Sequence, residues 1–335
     1  MRRLKTIAAV GAILNLALFL AHPVRAGIFD DFNDGDATDG APLIWDPIVP
    51  EFPGDYDAAS GDFVMTPPLS GSPQQFVVAM ARGVTAEDVS IRAQVRKIQA
   101  NPIVEEYIDI LARLDPLDPS RTVGEYSVYD ALLRYDGTLR IDRFTNNQRT
   151  TLASVHVPYD VTQQDVVMQF DLFGNTLSLW AWLPEESMPP TPQLTVTDLS
   201  FASGGIAIGS SDGPGDSVGI FRWVYISPDH SIRDGDATDD GRIDIDDLNA
   251  VRNNFGAVGL ADGSLAGDTV PFDGKVNIDD LNAVRNNFGA SVINVAPEPG
   301  GGVMLIGVVA CWAVARRRTR SAGRATRQAD SRGIG

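Results

Sequence analysis

Residues 166–183 read VVMQFDLFGNTLSLWAWL. Gly174-Asn175 is a two-residue turn signal between two apolar runs of strand length, so 166–173 and 176–183 are expected to pair as a β-hairpin. In the second arm Leu177, Leu179, Ala181 and Leu183 fall on one face, and Trp180 and Trp182 on the other. With the leucine face in a core, two indoles about 7 Å apart stand on the opposite surface, a platform suited to the C–H face of a sugar ring. The alternative is that the tryptophan side packs under a loop or a second layer.

The same pattern extends outward. Ile91, Ala93 and Val95 alternate with Arg92, Gln94 and Arg96; YIDILARL (107–114) is strand-like; 126–135 and 138–144 flank the turn Asp136-Gly137; and a last strand is expected over 218–226. No long amphipathic helix is evident from 27 to 228, so this region is expected to be an antiparallel β-sandwich. Its opening FDDFND (29–34), the hairpin YDGTLRIDRF (135–144), the turn FGNTLSLWAWL (173–183) and FASGGIAIG (201–209) together resemble the concanavalin A-like, LamG-type jelly roll, over residues 28–226. That resemblance implies a fold shared by sugar-binding modules, adhesion modules and glycosidases, and fold alone does not choose among them.

No catalytic residue is assigned. Glu105-Glu106-Tyr107-Ile108-Asp109 is the nearest carboxylate group, but it lacks the Glu-x-Asp-x-x-Glu spacing of laminarinase-type jelly-roll enzymes and is expected to be a solvated strand edge. His156 and His230 have no nucleophile pattern nearby and are expected to be structural. The acidic start, Asp30 to Asp39, lacks a Gly at position 6 with a carboxylate at 12 and reads as a polar surface turn.

Further along, IDDLNAVRNNFGA occurs at 245–257 and again, unchanged, at 278–290. Two copies are too few for a solenoid, so they should pair, each covering the other's apolar face. An acidic loop precedes each copy. In the first, Asp236, Thr238, Asp240, Asp244 and Asp247 hold positions 1, 3, 5, 9 and 12 of an EF-hand-type loop, Gly241 holds position 6 and the Arg242 carbonyl position 7. Such a ring of oxygens suits Ca²⁺ better than Mg²⁺. Leu248, Val251 and Phe255 then share one helical face, with Gly256 as C-cap.

In the second loop Asp273, Gly274, Lys275 (through its carbonyl), Asn277 and Asp280 hold positions 5, 6, 7, 9 and 12, but Asp268 lies one residue too far upstream and Pro271 takes position 3. Either this loop bulges by one residue or Asp268 does not bind. A duplicated loop-helix with Asp at position 12 resembles the type I dockerin domain, over residues 234–290. The resemblance implies calcium ligation by Asp236, Asp240, Asp244 and Asp247, and docking to a cohesin through positions 10 and 11. Those are Ile245-Asp246 and Ile278-Asp279, without the small hydroxyl pair common in that family, so pairing within the chain or with another surface partner stands beside cohesin binding.

The two ends carry addresses. MRRLKTIAAVGAILNLALFLAHPVRA (1–26) has a basic start, an apolar stretch from Ile7 to Ala21 and small residues before Gly27, and reads as a cleaved secretory signal. At the other end Pro297-Glu298-Pro299 precedes the apolar segment Gly302 to Ala315 and then Arg316, Arg317 and Arg318. A helix over that segment reaches about 21 Å, short of a ~30 Å hydrocarbon core. Pro-Glu-Pro, short apolar helix and arginine cluster, over 296–320, resemble the PEP-CTERM sorting signal of Gram-negative bacteria. This implies membrane insertion until an exosortase-type enzyme processes the chain, and a cell-surface or extracellular-matrix destination.

The composition agrees. The chain of 335 residues is 44% hydrophobic and 21% charged, too apolar for a disordered tail and long enough for two domains. Its formal charge is −17; removing +4 from residues 1–26 and +6 from residues 316–335 leaves −27 on the body. Such a body disfavours nucleic acid and makes divalent cations the natural counter-charge. The one cysteine, Cys311, falls in the C-terminal apolar segment, so the body can form no disulfide. The expectation is therefore an exported, non-catalytic calcium-binding protein that recognises extracellular polysaccharide or mediates adhesion. A dockerin-bearing polysaccharide hydrolase is the alternative, and a structural matrix component the third reading.

Overall fold

The computed structural model describes residues 27–38, 42–48, 54–67, 75–98, 106–115, 126–212, 217–228, 230–260 and 263–290. The signal segment, Pro297-Glu298-Pro299, the apolar run after them and Cys311 lie outside the described residues. No helix among the described residues is long and apolar enough to cross a membrane.

Two antiparallel sheets form the body. One runs β13 (Leu194–Thr197), β12 (Thr176–Trp182), β11 (Val166–Phe173), β6 (Val89–Ile98), β15 (Val218–Pro228), β4 (Phe63–Thr66) and β3 (Asp55–Asp57), with β1 (Ile28–Asp30) also pairing with β15. The other runs β10 (Gln148–His156), β9 (Thr138–Thr145), β8 (Val128–Arg134), β7 (Tyr107–Leu114), β14 (Gly204–Asp212), β5 (Gln75–Ala86) and β2 (Trp45–Pro47). The expected hairpins are present: Phe173 pairs with Thr176 across Gly174-Asn175, and Leu133 with Leu139 across Asp136-Gly137. Alternation sorts the side chains. Ile91, Ala93, Val95, Met168, Phe170, Leu177, Leu179 and Ala181 from one sheet meet Ile108, Ile110, Ala131, Leu133, Ile141 and Ile208 from the other in a single buried core.

The acidic start is only partly the surface turn expected. Asp30 is buried, accepting from the Phe32 amide (3.0 Å) and the Trp45 indole (2.9 Å), and burial pushes its carboxyl up to about 6. Asp34 and Asp36 do cap exposed turns.

The repeats form a two-helix unit, α1 (Ile245–Asn254) and α2 (Ile278–Asn287), around Ile243, Val251, Val276 and Val284. The unit is symmetric in detail. Ile243 exchanges backbone bonds with Gly289 and Ala290, as Val276 does with Gly256 and Ala257. Gly235 (φ +97°) and Gly267 (φ +93°) each press on the opposite helix, where an added Cβ would fall 2.6 Å from the Ala283 backbone or 2.7 Å from that of Ala250. Each helix opens on a capping box, Asp244 with Asp247 and Asn277 with Asp280. The placing of Phe255 on one helical face with Leu248 and Val251 is corrected: the helix ends at Asn254, the i+7 position is lost, and Phe255 and Phe288 are 56% and 54% exposed.

Candidate functional site

Three places were candidates from the sequence: the two acidic loops, the tryptophan pair and the carboxylates of 105–109. The loops draw their ends together. In the first, Asp236 accepts from the amides of Asp240 (3.1 Å) and Gly241 (2.9 Å), while Asp247 accepts from the Thr238 amide and hydroxyl (3.0 Å each) and the Asp244 amide (2.8 Å). Asp240 and Asp244 accept from the amides of Arg242 and Asp246.

The second loop repeats this arrangement with a different sequence. Asp268 accepts from Asp273 (3.4 Å) and Gly274 (2.9 Å), and Asp280 from the Thr269 amide and hydroxyl (2.8 and 3.1 Å) and Asn277 (2.8 Å). Asp268 therefore stands where Asp236 does, and Thr269 where Thr238 does. The placing of Pro271 at position 3 is corrected: the loop bulges, and residues 270–272 sit between Thr269 and Asp273 where the first loop has only Asp239.

These carboxylates crowd one another out of water. Burial, with Asp239 and Asp247 adding to it, raises Asp236 to about 7; burial, with Asp280 and Asp273 adding, raises Asp268 to about 6. Burial also raises Asp247. Several like charges focused on one loop, backed by carbonyl and hydroxyl oxygens, make a donor set that fits a hard dication. Asp236, Thr238, Asp240, Asp244, Asp247 and the Arg242 carbonyl could hold it in the first loop; Asp268, Asp273, Asn277, Asp280 and the Lys275 carbonyl could in the second.

The extra residues of the second loop have a place to go. Val270 is 4% exposed and Phe272 meets Phe29 and Tyr225 edge-on at 4.9 and 5.3 Å, all against the outer face of the eight-stranded sheet. Trp180, Trp182, Trp223 and Ile232 belong to that cluster, with Val167 and Met188. Trp180 and Trp182 do point away from the inter-sheet core, but each is only 4% exposed, with Arg233 over one ring (5.4 Å) and Arg92 over the other (5.2 Å). The sugar platform is thereby corrected to an interface.

Around it the linker is bonded down. Arg92 donates to Gln169 (2.8 Å), to Asp234 (2.6 Å) and to the Ile232 carbonyl (3.1 Å), and Asp171 accepts from Ser90 (2.5 Å), Gln169 (2.8 Å) and Ser231. His230, expected to be structural, is buried against Asp239 (3.0 Å), and Asp239 also accepts from Tyr225 (2.7 Å) and the Gly27 amide (2.6 Å). His230, Asp236 and Asp239 lie close enough to share a metal ion, though Asp239 is already held by these donors. His156, by contrast, is exposed on the edge strand β10.

The third place is not a solvated edge. β7 lies inside its sheet between β14 and β8, and Glu106 and Asp109 are 0% and 4% exposed. Asp109 faces outward and is joined across neighbouring strands by Asp130 and Asp142, which are directly opposed in register, so their Cβ atoms are about 5 Å apart. Gly209 makes room for Asp109: an added Cβ would lie 2.4 Å from its carboxyl oxygen. A pocket beside Asp109 and Asp130 is walled by Phe76, Tyr107, Tyr126 and Phe144, and each of the two carboxyls has one buried oxygen without a hydrogen-bond partner. Burial, partly opposed by Lys97, raises Asp109 to about 7; burial and then Asp109 and Asp142 raise Asp130 well above the carboxylate range. Arg140 pairs with Asp142 at 2.8 Å. The sequence reading missed Asp130 and Asp142 because they are distant in the chain and meet only across the sheet.

No protein-family model matches the chain, and no curated protein matches it. Among solved structures it is similar to the carbohydrate-binding module CBM66 from Bacillus subtilis, at 13% identity and a TM-score of 0.38, over 53% of this chain and 91% of that one. A Bacillus licheniformis β-glucanase is similar at 11% identity and 0.43, over 61% and 98%. The exoplasmic/lumenal domain of VIP36, in its Ca²⁺/Man3GlcNAc-bound form, is similar at 14% identity and 0.39, over 54% and 82%. Likeness at this level assigns no residue of this chain a role.

Proposed function

We propose that the chain is an exported, surface-sorted calcium-binding protein whose sandwich recognises extracellular polysaccharide or mediates adhesion. The observation that carries this reading is the convergence of the two loops. Sequences of different length close into one arrangement, each joining its first and last carboxylates to equivalent backbone amides. Bound calcium supplies the charge that lets those acids ionise inside a folded loop, and so staples a small unit that has no disulfide. Export and sorting rest on residues 1–26 and 296–320 alone.

Polysaccharide recognition is the task we propose for the sandwich. Tyr107, Tyr126, Asp109 and Asp130 on the outer face of its seven-stranded sheet are residue types that bind carbohydrate, but Tyr107 and Asp130 are 2% and 1% exposed and the cavity beside them is about 20 Å³, room for a water molecule and not for a sugar ring. Titration calorimetry of the full chain with Ca²⁺, followed by a glycan array with and without EGTA, tests the whole reading. Two bound calcium ions and glycan binding are expected; absence of heat with Ca²⁺ overturns the metal half, and an empty array the glycan half.

A second reading, glycoside hydrolase, is favoured by one observation. Asp109, raised to about 7, stands two strands from the arginine-paired Asp142, so an acid and a carboxylate coexist on one face. Release of reducing sugar that disappears in Asp109→Asn would establish it; binding without release would leave the protein a recognition module.

A further inference from the structure

The thirteen identical residues of the two repeats sit in two environments. On α1, Asp246, Asn249 and Asn253 are exposed. On α2 the counterparts Asp279, Asn282 and Asn286 form one side of a groove of about 920 Å³, and Asn282 is half-buried where Asn249 is exposed. The opposite side is the 184–190 segment of the sandwich, stiffened by Pro184, Pro189 and Pro190 and carrying Glu185 and Glu186, with Arg233 at the junction.

The geometry points to this groove as a binding site for a neutral polysaccharide chain, a reading that rests on polysaccharide recognition and moves it to the junction of sandwich and repeats. Its volume falls in the range of ligand sites, and such sites favour domain junctions. Its chemistry fits hydroxyl-rich rings: residues 279, 282 and 286 lie at i, i+3 and i+7 on one helical face, where the Asn282 and Asn286 amides each offer two donors and an acceptor and the Asp279 carboxylate accepts. Glu185, Glu186 and Asp279 outnumber Arg233, so a polyuronate would be repelled. The groove is also fixed in shape. Asn287 donates to the Asp234 carbonyl (2.9 Å), Asp234 is paired with Arg92, and Arg233 lies over Trp180 with its guanidinium on the Met188 sulfur (3.2 Å).

The duplication supplies the control. With the full chain in Ca²⁺, binding of soluble mixed-linkage β-glucan, dextran and alginate is measured by affinity electrophoresis and calorimetry. Asn282→Ala with Asn286→Ala is expected to weaken binding of a neutral polymer at least tenfold, while Asn249→Ala with Asn253→Ala leaves it within twofold and alginate does not bind. Glu185→Ala, on the exposed opposite wall, repeats the test without touching the helix. Equal losses from the two double variants, or none from the first and from Glu185→Ala, overturn the groove. If Tyr126→Ala instead removes binding, recognition stands on the sheet face and the groove alone falls; if no polymer binds the unmodified chain, both fall.

Discussion

The centres of both outer faces of the sandwich are buried, yet they are built in opposite ways. On the eight-stranded sheet the charged and amide groups at the centre are partnered: Arg92, Gln169, Asp171 and Ser231 bond one another and the linker, though the Trp180 indole N–H has no hydrogen-bond partner, and the aromatic rings between them close on Val270 and Phe272. On the seven-stranded sheet Asp109 and Asp130 keep an unpartnered oxygen in a pocket of aromatic rings. A satisfied buried network holds an interface together, whereas buried acids without partners cost stability and are retained where they act on something. The first face joins the sandwich to the linker and the second acidic loop, and the second keeps its acids around a cavity of about 20 Å³.

The largest effect that could break this contrast is at the tryptophans. If the eight-stranded face is an interface, Trp180→Ala and Trp182→Ala should each cost roughly 3–5 kcal/mol in denaturant melts. Variants that melt like the unmodified protein would return the indoles to the surface.

Next comes calcium. Saturating Ca²⁺ at about a hundred times Kd should add about 2.7 kcal/mol per site. Because Val270 and Phe272 belong to the second acidic loop and also pack with the indoles, EGTA should shift tryptophan emission to the red as well as reduce helical ellipticity if that loop holds calcium. Helix loss with unchanged emission would show the two units to be uncoupled.

The opposite face should respond to pH. The Asp109 carboxyl is raised to about 7 in the folded chain from an ordinary value of 3.8. The folded state thus binds the extra proton, so the contribution is fully present below pH ~4 and is lost as pH rises through about 7. Asp109→Asn should match the unmodified protein near pH 4 and exceed it by roughly 4 kcal/mol at pH 8. A parallel pH profile in the variant would remove Asp109 as the cause.

The smallest effect separates the two loops. With Asp268 in the place of Asp236, the remaining charge difference among the paired ligands is Asp244 against Asn277. Calorimetry should therefore give a few-fold tighter first site, and Asn277→Asp should narrow the gap, since ligand charge tunes affinity. A silent second site would restore the reading in which Asp268 does not bind.

The sequence by itself determined what local periodicity and spacing encode. The hairpins at Gly174-Asn175 and Asp136-Gly137, the inward set of Leu177, Leu179 and Ala181, and the loop-helix pairing of the repeats follow from side-chain alternation and turn chemistry over neighbouring residues. Tertiary structure alone decided what covers each outward face, because alternation says which way Trp180 and Trp182 point and nothing about what lies beyond them. It also brought Asp109, Asp130 and Asp142 onto three adjacent strands and set His230 against Asp239. Counting positions from Asp280 misplaced Asp268, because a loop is closed by hydrogen bonds from its two ends, and the residues between can bulge outward when, as with Val270 and Phe272, they have an apolar face to bury.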